Sequence, residues 1–157
     1  MFRRFDDFAT TWRHESAATA RVLSRLTDDA LGHRLHPDQR SLGEVAWHIV
    51  VSLPEILGKA GVELERPPKR DPLPESAALI QSIYVDVAQG VPAAVEAAWR
   101  DELAPRLDFY GMVIPRGEVL AITLRHEIHH RGQLTAQMRP AGLRVPGVYG
   151  PSADDSA

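Results

Sequence analysis

Apolar residues recur along this chain at three- and four-residue intervals in four long stretches separated by polar or proline-rich ones, a pattern that predicts four amphipathic helices. The first runs from about Phe2 to Leu26, with Phe5, Phe8, Trp12, Val22 and Leu26 on one stripe and Thr19 the one polar residue within it. Thr27 to Arg40 has no sustained period and reads as a long connection with a short turn at Asp28 to Leu31. Ser41-Leu42-Gly43-Glu44 fits a capping box and opens a second helix through Val45, Ala46, Ile49, Leu53, Ile56 and Leu57 to about Ala60, which Pro54 should bend and Gly61 should stop. Four prolines between Glu63 and Pro74 mark a linker. A third helix follows from Glu75 to about Glu102, with Leu79, Ile83, Val87, Val91, Ala94, Val95 and Ala98 as its stripe, and Gly90-Val91-Pro92 should kink or divide it. Ala104 to Pro115 reads as an irregular, partly extended connection, after which the fourth helix runs to about Arg139.

With no strand signal of any strength, these segments predict an all-α four-helix bundle. The segment Val145 to Pro151 cannot be helical but is too apolar to hang free, so it is expected to lie as a long irregular tail along the bundle. The expected organisation is one domain over residues 1–151 with a disordered end over 152–157.

Composition narrows the chemistry. The absence of cysteine rules out disulfides, thiolate zinc sites and a cysteine nucleophile, so any metal must be held by His, Asp or Glu. A net charge of -3 without a dense basic stripe gives phosphate-backbone binding little to draw on, and nucleic acid is not an expected partner. No uninterrupted apolar run approaches the roughly 18 residues that cross a bilayer, and the first residues lack a signal-peptide core, so the expectation is a cytoplasmic protein without a membrane partner.

Three of the seven histidines fall between Arg125 and Gln133. On a helix His126 and His130 stand one turn apart, about 40° around the axis, and can reach one ion. They continue a core-facing stripe begun by Val119 and Ile122. Two imidazoles in place of leucine on such a face leave polar nitrogens to be satisfied, which a shared cation does more completely than scattered hydrogen bonds. A histidine pair at this spacing is also often structural, so the third ligand decides. Bundle metal sites are built from facing helices, and His48, the sole histidine on the second helix, is the natural partner. His33 and His36 read as solvated loop side chains, His129 as a hydrogen-bonded neighbour, and Arg131 and Gln133 as residues that fix the helix and the tail. His126-Glu127-x-x-His130 also satisfies the H-E-x-x-H pattern in which the glutamate is a general base, making Glu127 a candidate catalytic residue; the alternative is an outer or surface carboxylate.

Leu42-Gly43-Glu44-Val45-Ala46-Trp47-His48, Ile114-Pro115-Arg116-Gly117-Glu118, His126 to Leu134 and Val145 to Pro151 together resemble the DinB-like, YfiT-related superfamily of metal-dependent enzymes. That resemblance implies a four-helix bundle with a divalent metal, zinc or nickel, held by His48, His126 and His130, and commonly a homodimer. It also implies relatives that use a low-molecular-weight thiol as cosubstrate. Three imidazoles with an open fourth position suit a catalytic zinc, which acidifies bound water or a thiol. The favoured expectation is a thiol-dependent S-transferase-like enzyme acting on a small-molecule substrate. The alternatives are a metal-dependent hydrolase with Glu127 as base and a non-catalytic metal-binding, stress-related protein.

Overall fold

A computed structural model describes residues 1–65, 67, 72–100 and 102–155. Its elements are α1 (Phe5–Leu23), a single 3-10 turn (Asp28–Ala30), α2 (Leu42–Lys59), α3 (Ala77–Trp99), β1 (Arg106–Phe109), β2 (Met112–Pro115) and α4 (Arg116–Met138). Around the bundle α1 touches α3 and α4, and α2 touches the same two, so α1 and α2 lie diagonally opposite. The four-helix architecture expected from the sequence is therefore present, and α4 sits between α1 and α2 with a flank against each.

Local signals placed most helix ends. Ser41 Oγ accepts from Glu44 N at 3.2 Å while Glu44 accepts from Ser41 N at 2.6 Å, completing the capping box. At the other end of α2, Gly61 N donates to Gly58 O and Val62 N to Leu57 O; after α4, Gly142 N donates to Arg139 O and Leu143 N to Met138 O. Each pair closes a Schellman motif whose central residue must be left-handed, and both glycines have φ of 78°. Helices α2 and α3 run unbroken through Pro54 and Pro92, so Gly90-Val91-Pro92 does not divide the third helix.

Two expectations about these elements need correction. The buried stripe of α3 is Ala77, Ile80, Tyr84, Val87, Val91, Val95 and Trp99, whereas Leu79 is 51% exposed and Ala98 faces outward. The two stripes share Val87, Val91 and Val95, and a helix with apolar residues on adjacent rows offers more than one face to a periodicity argument. The connection before α4 is a β-hairpin in which Leu107 pairs with Ile114 and Phe109 with Met112. Its two-residue turn has Tyr110 and Gly111 both at positive φ, the primed geometry that matches strand twist. By length and composition α3 could cross a membrane, but polar residues such as Gln81, Asp86 and Glu96 interrupt its apolar run, as expected, and in the fold it is a bundle helix whose buried stripe faces α1 and α2.

The C-terminal segment lies against the bundle. Val145 is buried, and the Tyr149 hydroxyl donates to Glu15 of α1 at 2.8 Å. Of the end expected to be disordered, residues 152–155 form a turn: Asp154 accepts from Val145 N at 2.8 Å and from Arg139, and Asp155 accepts from Ser152 N. Ser156 and Ala157 lie outside the described residues.

The aromatic residues of α1 are absorbed within one chain. Phe8 and Trp12 are buried, the rings stack with centroids 5.9 Å apart, and Trp12 Nε1 donates to Ala88 O of α3 at 2.9 Å. Three exposed apolar side chains, Tyr110, Met112 and Val113, lie together on the hairpin.

Candidate metal centre

The deepest face of α4 is not the histidine stripe. Leu120, Thr123, Glu127, Arg131, Leu134 and Met138 follow the i, i+3, i+4 spacing, and each is 2% exposed or less. His126 and His130 lie beside this face, on the flank toward α2, and His126 is only half-buried. There they meet His48: its ring centroid is 5.1 Å from that of His126 and 4.5 Å from that of His130. One ligand atom from each of the three residues falls within 4.8 Å of the others. The structure thus brings together the three histidines that the sequence singled out.

The orientation of two of the rings is fixed from outside. His130 Nδ1 stands 2.7 Å from Gln133 Oε1, a carbonyl oxygen that can only accept, so Nδ1 carries the proton and Nε2 the lone pair. On His126, Nδ1 stands 3.4 Å from Ser52 Oγ, whose hydrogen is already given to Ile49 O, so this ring also donates through Nδ1. The two Nε2 atoms then face each other at 3.2 Å with their lone pairs converging. Two nitrogens on one tetrahedral zinc, each about 2.0–2.1 Å from it, are about 3.3 Å apart, so His126 and His130 stand at the spacing of two ligands on one ion.

The electrostatics favour neutral ligands. Burial pulls the pKa of His126 from 6.5 down to about 4, and the charges of His130, His129 and Arg40 act in the same direction. Burial likewise lowers His130, against the opposing effect of its hydrogen bond to Gln133. Imidazoles that resist protonation leave their lone pairs available at neutral pH.

Glu127 is not brought to this cluster. It is 1% exposed, and its Oε1 accepts from Thr19 Oγ1 of α1 and from Tyr84 Oη of α3, both at 2.8 Å. Burial raises its pKa, with the hydrogen bonds from Tyr84 and Thr19 and the charge of Arg131 pulling the other way. One turn on, Arg131 donates to Glu15 O at 2.9 Å, to Thr19 Oγ1 at 3.1 Å and to the Glu15 carboxylate and Tyr149 hydroxyl. Glu127 and Arg131 therefore belong to a polar layer that ties α4 to α1, α3 and the tail, which accords with the expected role of Arg131. Gln133 differs from expectation, since it orients a histidine.

His129 is exposed with its ring 4.9 Å from that of His130, and His36 is exposed in the connection before α2; neither joins the cluster. Sequence reasoning gave no role to Ser52 or Tyr84. Ser52 had a visible signal, standing one turn after His48 on the same helix, whereas Tyr84 had only an apolar neighbourhood.

Comparison with known proteins places the family and the fold. The DinB family profile matches residues 1–157. The chain is 35% identical over 158 residues to the uncharacterized protein YrdA of Bacillus subtilis, covering 100% of this chain and 95% of that one. Its fold is similar to that of a DinB-like protein from Bacillus cereus, at 39% identity and a TM-score of 0.89, over 95% of this chain and 100% of that one. A second DinB-like protein, YjoA of Bacillus subtilis, shares the fold at a TM-score of 0.66 and 17% identity, over 87% of this chain and 92% of that one. On the whole-chain match and the close relatives, this protein belongs to the DinB family.

Proposed function

We propose that the protein is a divalent-metal-dependent enzyme whose ion is held by His48, His126 and His130, and that its reaction is transfer to a low-molecular-weight thiol. The observation that carries the metal assignment is the pair of Nε2 atoms 3.2 Å apart, each on a ring whose Nδ1 proton is already engaged. A zinc or nickel ion bound there supplies Lewis acidity and lowers the proton affinity of a thiol or water brought to it. The protein's own contribution is orientation: Gln133 and Ser52 hold two of the rings so that their lone pairs meet at one point.

The transferase reading is favoured over the hydrolase because it needs no carboxylate base. In this reading Glu127 is a structural group, which its hydrogen bonds to Thr19 and Tyr84 support. The test compares wild type and Glu127→Gln on monobromobimane with several small thiols, beside an ester-hydrolysis control. In the transfer the sulfur bonds to the bimane carbon, bromide leaves and the thiol proton passes to solvent. The expected result is a metal-dependent rate with thiol, reduced only modestly by Glu127→Gln. Ester hydrolysis that collapses in the variant would overturn the assignment in favour of a hydrolase. No turnover in either assay would favour a non-catalytic metal-binding protein.

We also propose a homodimer in the cytoplasm. The exposed cluster of Tyr110, Met112 and Val113 on the hairpin supports association. Sedimentation of wild type and Val113→Asp tests it: dimer in the first and monomer in the second is expected, and monomer in both overturns it.

A further inference from the structure

The two turns of α4 that carry metal ligands also carry buried polar anchors, each one residue further on. His126 is followed by Glu127 and His130 by Arg131, and both anchors are 2% exposed or less. The ligands look toward α2, the anchors toward α1, α3 and the tail. One side chain joins the two anchors. Thr19 is the one polar residue among the buried positions of α1. Its Oγ1 donates to Glu127 Oε1 at 2.8 Å and accepts from Arg131 Nη1 at 3.1 Å. A hydroxyl has one proton to give and lone pairs to receive, so this single atom serves both anchors at once.

Leu120, Leu134 and Met138 make up much of the remaining buried face of α4. Apolar contact is non-directional, so it resists a small rotation less sharply than hydrogen bonds of set length and angle do. The convergence of the histidines is sensitive to that rotation. With side chains reaching about 6 Å from a helix axis, a turn of about 10° carries an imidazole nitrogen roughly 1 Å, whereas metal–ligand distances tolerate about 0.2 Å. We propose that Thr19 is a positioning residue for the metal centre, setting the rotation of α4 on α1 so that the Nε2 atoms of His126 and His130 meet at one point on the α2 side. None of its hydrogen bonds is to a ring, so it acts through Glu127 and Arg131. Tyr84, the second donor to Glu127 Oε1 at 2.8 Å, assists from α3. The use of this position to the ion rests on the metal-centre reading; its hold on the two rings does not.

Co(II) is the probe, because its visible absorption reports the geometry of its ligands. Imidazole proton–nitrogen correlation spectra of the metal-free protein report the two rings without it. Thr19→Val keeps the branched shape and removes the hydroxyl. It is expected to bind Co(II) about tenfold more weakly, with displaced absorption bands. In the metal-free protein it should move the ring signals of His126 and His130 while that of the exposed His36 stays. Thr19→Ser restores the hydroxyl and should return affinity, bands and signals to wild type. Val95→Ala, a cavity at a fully buried position of α3, should lower stability and leave bands and ring signals alone. If Thr19→Val does not fold, Tyr84→Phe, which removes the other donor to Glu127, is read by the same criteria. Wild-type bands and ring signals in the variant, a serine variant that behaves like the valine one, or the same spectral change in Val95→Ala would each overturn the assignment. A wild type that takes up no Co(II) removes the metal-centre reading, and the ring signals then decide alone: moved by Thr19→Val they uphold the positioning, unmoved they refute it.

Discussion

Gln133 Oε1 accepts from His130 Nδ1 at 2.7 Å, three residues along the same helix. Because that bond sets which ring nitrogen carries the lone pair, Gln133→Leu should lower metal affinity about 10–100-fold without removing a ligand. Gln133→Glu, which restores an acceptor, should recover most of the loss. Competition against a chromophoric chelator measures both. Equal affinity in wild type and the leucine variant would mean that the ring is oriented by packing alone. Ser52→Ala should have a smaller effect, since its contact with His126 is 3.4 Å long.

Replacing His48, His126 or His130 with Ala should strip the protein of metal, because each removes one of three converging donors. His129→Ala and His36→Ala should retain it, as both side chains lie outside the cluster. Elemental analysis after purification without an affinity tag separates the two groups. Metal kept by His48→Ala and lost by His129→Ala is the outcome that refutes the ligand set.

The pH dependence of the metal-free protein should carry two opposite contributions. Between pH 6.5 and about 4 an unfolded His126 is protonated and the folded one is not, so the unfolded state binds more protons and stability falls on acidification through that window. His130 acts in the same sense. Glu127 acts in reverse: its folded pKa is raised above 4.5, so the folded state binds more protons there and stability falls as pH rises through the range above it. Urea midpoints across pH should therefore drop less on the acid side for His126→Gln than for wild type. Glu127→Gln, which has no proton to lose, should gain relative to wild type as pH rises above 4.5. A constant offset between Glu127→Gln and wild type at every pH would contradict the raised pKa.

Arg131 is 2% exposed and bonded to Glu15, Thr19 and Tyr149. Arg131→Met fills similar space but leaves the partly buried Glu15 carboxylate without its partner, and should destabilise the fold by about 3–5 kcal/mol. Chemical denaturation reads this directly. A loss under about 1 kcal/mol would place the bridge among exposed ion pairs.

Tyr84 shows where reading the chain by periodicity stopped. It lies on the α3 stripe between Ile80 and Val87, fully buried, and its hydroxyl donates to Glu127 across the bundle. Nothing within a few residues of either partner announces the other, 43 positions away. The start of α2 at Ser41 and its end at Gly61, by contrast, were legible in the chain itself, because their hydrogen bonds close over no more than five residues. So was the pairing of His126 with His130, which helix geometry places one turn apart. That His48 completes the cluster followed from its being the sole histidine on the second helix, but its meeting with them depends on α2 and α4 being neighbours around the bundle. The tertiary structure alone decided which flank of α4 faces which partner. A helix held between α1 and α2 buries polar residues on two sides, so one apolar stripe could not tell that His126 and His130 look toward α2 while Glu127 is turned to α1 and α3. Periodicity gives the angle between side chains on one helix, whereas the partner each angle points at is set by how the other helices surround it.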